Sequence, residues 1–208
     1  MMKTLIINDD IRAAAEIIRS GGLVAVPTET VYGLSADGLS RDAVEKIYIA
    51  KGRPETKPIN LLVSGMGDVE GLCADIPADA YKMAEAFWPG PLTMILKRKS
   101  CVPDIVTAGG ATVGVRCPAS EKTLKLIELS GVPLATPSAN PSGMESPKTF
   151  SKVMEYFDGR IECAIDGGDC SVGIESTIVD MTSLPPKILR QGGLSREKLE
   201  ELLDVKLG

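Results

Sequence analysis

Leu23-Val24-Ala25-Val26-Pro27-Thr28-Glu29-Thr30-Val31-Tyr32-Gly33 is the stretch from which the fold is read. Four apolar residues run without alternation into a proline, the pattern of a strand buried on both faces. Proline has no N–H for a strand ladder, so the strand stops there. Thr28-Glu29-Thr30 then forms a polar turn at a strand end, which is where α/β folds gather ligands. Read as structure alone, it is an ordinary strand-to-helix turn.

Outward from this strand the chain alternates. Upstream, Asn8 or Asp9 caps a helix with the apolar stripe Ile11, Ala14, Ala15 and Ile18, and Gly21-Gly22 stops it. Downstream, the periodicity predicts helices over 41–50, 78–88, 120–129 and 149–157, and a final capped helix from Ser195 to Leu203. Strands are expected at Ile59–Val63, Leu92–Leu96, Thr112–Arg116, Leu134–Thr136, Cys163–Ile165, Ser176–Asp180 and Lys187–Arg190. Helices and strands alternate early, but the late strands follow one another. That order predicts an α/β fold with a mixed sheet rather than a doubly wound parallel one. No repeat or low-complexity linker interrupts the chain, so one domain over 1–208 is expected.

Composition narrows the chemistry. The chain has 208 residues, 44% hydrophobic and 25% charged, enough apolar content for a real core. Its net charge of −5 argues against a protein that coats nucleic acid with its whole surface, while leaving room for a local basic groove. Histidine is absent. Ser-His-Asp and Cys-His catalysis, histidine-ligated metals and imidazole acid–base steps are therefore excluded. The five cysteines (73, 101, 117, 163 and 170) form no CxxC and read as reduced thiols, with no metal site expected. MMKTLIINDD at the start has too short an apolar run for a secretory leader. No apolar window of about 18 residues exists, so a cytoplasmic protein without membrane contact is expected.

Neither GxxxxGK followed by Ser or Thr, nor GxGxxG, is present, so a nucleotide would not be held as in P-loop or Rossmann enzymes. Four segments set polar or basic residues beside Gly and Pro at element ends. The first is Pro27 to Gly33. The second is Lys51-Gly52-Arg53-Pro54 with Lys57-Pro58, where cations suit a phosphate or carboxylate, or simply form a solvated turn. The third is Thr112 to Pro118, in which Arg116 closes an apolar strand and either pairs with a carboxylate or faces a ligand. The fourth is Thr136-Pro137-Ser138-Ala139-Asn140-Pro141-Ser142-Gly143, with Ser146 beyond it. Gly173 to Thr177 and Lys187 to Gly193 repeat the theme.

In order, from Gly22 to Gly193, these segments resemble the YrdC-like family of threonylcarbamoyl-AMP synthases. The specific marks are KxR at Lys51-Gly52-Arg53 and SxN at Ser138-Ala139-Asn140, with PTETVYGL at 27–34 and ESTIVD at 175–180. The resemblance implies a twisted open sheet of mixed parallel and antiparallel strands, with flanking helices, around a basic concave groove. It implies the reaction of L-threonine, bicarbonate and ATP to threonylcarbamoyl-AMP and pyrophosphate, with Mg sharing the phosphate charge. It also implies downstream proteins that pass the threonylcarbamoyl group to tRNA. By position, Lys51, Arg53 and Arg116 are the catalytic cations. Arg53, Lys57, Thr112, Ser138, Asn140, Ser146 and Arg190 are the ATP set. Thr30, Arg116, Thr136 and Ser176 are the threonine set. The chain resembles the family's short form, and it carries Leu62 where longer members often have a histidine.

The chemistry agrees with this reading. An N-carboxylated threonine and the ATP phosphates are both anionic, so joining them depends on positioning and cations rather than on imidazole. The competing expectation is a double-stranded RNA or tRNA-binding module that uses the same groove without catalysis. The stretches 99–112 and 141–148, rich in Gly and Pro, are expected to be flexible covers.

Overall fold

The computed structural model describes residues 3–208; Met1 and Met2, at the head of the stretch in which no leader is expected, lie outside it. In chain order the elements are β1 (Leu5–Ile7), α1 (Ile11–Arg19), β2 (Val24–Val26), β3 (Gly33–Asp37), α2 (Arg41–Lys51), β4 (Leu61–Leu62), α3 (Met66–Leu72), β5 (Cys73–Ala74) and α4 (Ala78–Phe87). They continue with β6 (Leu92–Arg98), α5 (Asp104–Thr107), β7 (Thr112–Arg116), α6 (Glu121–Ser130), β8 (Leu134–Ala135), α7 (Phe150–Phe157), β9 (Cys163–Ile165), β10 (Thr177–Asp180), β11 (Lys187–Arg190) and α8 (Arg196–Leu203).

The strands join in the order β1-β9-β2-β3-β8-β4-β7-β6-β10-β11, with β5 off the path against β6. Pairing is parallel for β1–β9, β9–β2, β4–β7 and β6–β10, and antiparallel elsewhere along the path. This is the mixed α/β sheet expected from the order of elements. Because strand side chains alternate faces, Val24 and Val26 of β2 join one cluster while Ala25 joins the other. The smaller cluster packs Ile11, Ala14, Ala15 and Ile18 of α1 with Leu126 and Ile127 of α6. The larger one takes the buried faces of α2, α3, α4, α5, α7 and α8. The sheet is thus covered on both sides, which explains the unbroken apolar reading of its central strands.

Three expectations need correction, and three short elements were not expected. The cap of α1 is Asp10, whose carboxylate accepts from the Arg12 amide at 3.2 Å, and not Asn8 or Asp9. The chain is still leaving β1 at those residues, a strand that exists only because β9 lies beside it. The turn after Pro27 leads into a strand, β3, which runs back antiparallel to β2, and not into a helix. The short elements α3, β5 and α5 carry too few residues to show a period. Within 99–112, expected as a flexible cover, Val102, Ile105 and Val106 are buried in the larger cluster. Among the described residues, no helix is long and apolar enough to cross a membrane.

Candidate active site

β2 delivers Pro27 to a bend whose hydroxyls hold one another. Thr28 Oγ1 donates to the Val31 carbonyl at 2.6 Å and lies 2.9 Å from Thr30 Oγ1. The bend opens onto a cavity of about 180 Å³. Thr30, Arg53, Arg116, Thr136, Ser138, Ser176 and Arg190 line it together, although they come from six separate stretches of chain.

Each arginine has its own support. Ser40 caps α2, and Gly52 ends it in the left-handed region at φ 58°, a conformation that favours glycine. The chain then turns so that half-buried Arg53 reaches the cavity with Nη2 donating to the Pro58 carbonyl at 2.9 Å. Its burial pushes the guanidinium pKa down from the ordinary value. Arg116, at the end of β7, donates from Nη2 to Glu29 Oε1 at 2.7 Å and from Nε to the Gly90 carbonyl at 3.1 Å. The second oxygen of Glu29 accepts from the Ala119 amide at 3.0 Å. Both side chains are over 90% buried, at 9% and 7% exposure. Burial lowers the Arg116 pKa, and Glu29 opposes that shift. Of the alternatives left open for Arg116, the carboxylate pair is present, and the side chain also lines the cavity.

Arg190, on β11, pairs with Glu175 and donates from Nε to the Ser176 carbonyl at 3.0 Å and from Nη2 to Ser176 Oγ at 3.1 Å. Ser176 Oγ also lies 2.8 Å from Thr93 Oγ1, and Thr136 Oγ1 lies 2.8 Å from Ser35 Oγ. Among the described residues, the lining carries three arginines against the single carboxylate of Glu175. The cavity wall is therefore positive in a chain of net charge −5.

Five expected residues are outside this lining. Lys57 is exposed, and its carbonyl accepts from Tyr48 Oη at 2.9 Å. Thr112 begins β7 opposite Lys97, at the far end of the strand from Arg116. Ser146 reaches the site only through Glu175 Oε1, at 3.0 Å. Asn140 turns its amide to the carbonyls of Pro141 and Met144. Lys51, expected among the cations at the chemistry, is also off the lining. It is 3% exposed, and its ammonium donates to the Ser138 and Asn140 carbonyls instead of entering the cavity.

Thr28 and Tyr32 also line the cavity, and Glu29 supports it; the sequence placed them in the Pro27–Gly33 segment without individual roles, and it missed Asn60, which lines the cavity too. One signal for Asn60 was available. Gly114 interrupts an apolar strand, and a Cβ there would lie 2.2 Å from Asn60 Oδ1, the close approach that a strand glycine often marks. Leu62 also lines the cavity. Among the described residues, no group of three or more Cys, Asp or Glu side chains is arranged to hold a metal ion.

A family model, Sua5/YciO/YrdC, described as telomere recombination, matches residues 16–192. The threonylcarbamoyl-AMP synthase of Pyrococcus abyssi is 50% identical over 193 residues, covering 93% of this chain and 57% of its own length. That of Bacillus subtilis is 43% identical over 197 residues, covering 93% of this chain and 56% of its own. The crystal structure of P. abyssi Sua5 complexed with L-threonine superposes with a TM-score of 0.94 at 46% identity, over 99% of this chain and 62% of that one. The chain thus spans little more than half the length of these relatives.

Proposed function

The chain belongs to the Sua5/YciO/YrdC family, and on that premise we propose that it is an L-threonylcarbamoyladenylate synthase acting on L-threonine, bicarbonate and ATP. The observation that carries this reading is convergence. Thr30, Arg116, Thr136 and Ser176, expected at threonine, share one cavity with Arg53, Ser138 and Arg190, expected at ATP. The threonine amine takes up bicarbonate with loss of water to give an N-carboxylate. One oxygen of that carboxylate attacks the α-phosphorus of ATP, the bond to the bridging oxygen breaks, and pyrophosphate leaves.

Two anions must meet, and charge builds on the departing pyrophosphate. Fixed guanidiniums lower that barrier because their orientation is set before the substrates arrive. Arg53 and Arg190 are suited to the phosphates, and Arg116 to the threonine carboxylate or the carbamate. Glu29 and Glu175 hold Arg116 and Arg190 in place, so little reordering is needed at the moment of reaction. Mg fits only as an ion carried by the ATP phosphates. The lining offers one carboxylate, Glu175, and its two oxygens are taken by Arg190 and Ser146. Carried there, the ion would share the phosphate charge.

We place the activity in the cytoplasm, supplying an acyl adenylate to proteins that transfer the group to tRNA. No specific contact favours an RNA-binding module over the enzyme. The test is pyrophosphate release from ATP with Mg and bicarbonate, with and without L-threonine. Release should depend on threonine and fall about 10²- to 10³-fold in Arg53→Ala, the order of loss seen when one charge-stabilising donor is removed. Release that ignores threonine, or survives the substitution unchanged, would overturn the assignment.

A further inference from the structure

The basic motif contains one cation that the cavity does not use. Lys51 ends α2, a position from which a lysine ordinarily extends into solvent, yet it is 3% exposed. Among the described residues, no carboxylate lies within ion-pair distance of it. A buried ammonium is costly unless its protons are met. Two of them are met by the carbonyls of Ser138 and Asn140. The Lys51 carbonyl in turn accepts from the Ser142 amide at 2.8 Å. One residue therefore grips three points of a five-residue turn, and that turn presents Ser138 to the cavity.

Other ties also hold the turn, including an isolated bridge between Gly33 and Ser138. The Ala139 amide donates to the Tyr32 carbonyl at 2.8 Å, and the Asn140 amide to Ser138 at 3.0 Å. The Asn140 side-chain amide donates to the Pro141 and Met144 carbonyls, while among the described residues its Oδ1 has no partner.

We propose that Lys51 is a positioning residue, an ammonium clamp that sets the Ser138–Ser142 turn and so the cavity face of Ser138, rather than a cation that touches ATP. The part concerning ATP rests on the synthase reading; the clamp itself does not. Burial, then the charge of Arg53, pushes the Lys51 ammonium down to about 7, with Glu175 opposing. Arg53 lies past the end of α2 and Glu175 just before β10, and the turn itself has no titratable group. The clamp is charged well below pH 7 and loses its charge as pH rises through that value. Its two bonds are then neutral and about half as strong.

The experiment is hydrogen exchange of the Ala139, Asn140 and Ser142 amides in the ligand-free chain from pH 6 to 8.5, corrected for intrinsic rates. ATP affinity is measured in parallel, on the native protein and on Lys51→Met. In the native protein, protection of these amides and ATP affinity should both decline above about pH 7. In Lys51→Met the three amides should exchange at least tenfold faster, and ATP affinity should be weak and flat with pH. Amides that exchange as slowly in Lys51→Met as in the native protein would overturn the clamp. A variant that loses ATP affinity while its turn stays protected would make Lys51 a direct ATP contact. Absence of ATP binding by the native protein would end the synthase reading, and the exchange measurement would still decide the clamp.

Discussion

At the scale of single residues, this cavity is built from arginines whose freedom has been removed. Arg116 and Glu29 are both over 90% buried, and each leaves an uncompensated group if the other is lost. Glu29→Gln is expected to destabilise the fold by about 3–5 kcal/mol, the cost of breaking a buried pair by removing one partner. Urea unfolding would measure it. The pair Glu29→Leu with Arg116→Met should cost less than the two single changes added together, because no charge is stranded. Additive losses would mean that the two groups are not coupled. Lys51 behaves oppositely with pH. Its folded pKa, about 7, lies below the ordinary 10.5, so the folded chain binds fewer protons than the unfolded one between these values. The stability contributed by this group therefore rises with pH across that window, while the clamp weakens. Site order and global stability should move in opposite directions, which an ordinary structural lysine would not produce.

At the scale of elements, what matters is how closely backbones approach. Gly192 follows β11, where a Cβ would lie 2.1 Å from the Glu175 carbonyl oxygen and 2.4 Å from the Ser176 carbonyl carbon. Backbone cannot move aside as a side chain can, so Gly192→Ala must displace the Glu175–Ser176 segment. A loss of about 1–3 kcal/mol is expected from overpacking. KM for threonine should rise with it, because Ser176 lines the cavity. Unchanged thermal stability together with unchanged KM would refute the close approach. The same principle explains which elements could be read in advance. Helices α1, α2, α4, α6, α7 and α8 have enough turns to repeat an apolar stripe. β4 and β8 fall within expected apolar runs, whereas β1 and β5, which no run announced, exist only through their partners.

At the scale of the whole molecule, two hydrophobic layers support the sheet, and the cavity opens along its central strands. Phe157, on α7, is fully buried and lies outside the cavity lining. Phe157→Ala should cost about 3–5 kcal/mol of stability and leave KM for threonine unchanged below the melting transition. A change in KM with little loss of stability would tie this core to the site instead. By itself, the sequence determined the class of fold, through the unbroken apolar strand ending at Pro27 and the helical stripes around it. The absence of histidine ruled out imidazole chemistry, and the ordered basic and hydroxyl segments pointed to the cavity residues. Local order carries that information because periods and breaks are properties of neighbouring residues. Only the tertiary structure decided that Arg116 is held by Glu29, 87 positions away. It also decided that Lys51 turns inward to the SxN turn, and that Lys57, Thr112 and Ser146 are not on the lining. Whether a charged side chain meets a partner, a carbonyl or a ligand depends on which distant segments surround it, and no spacing along the chain records that.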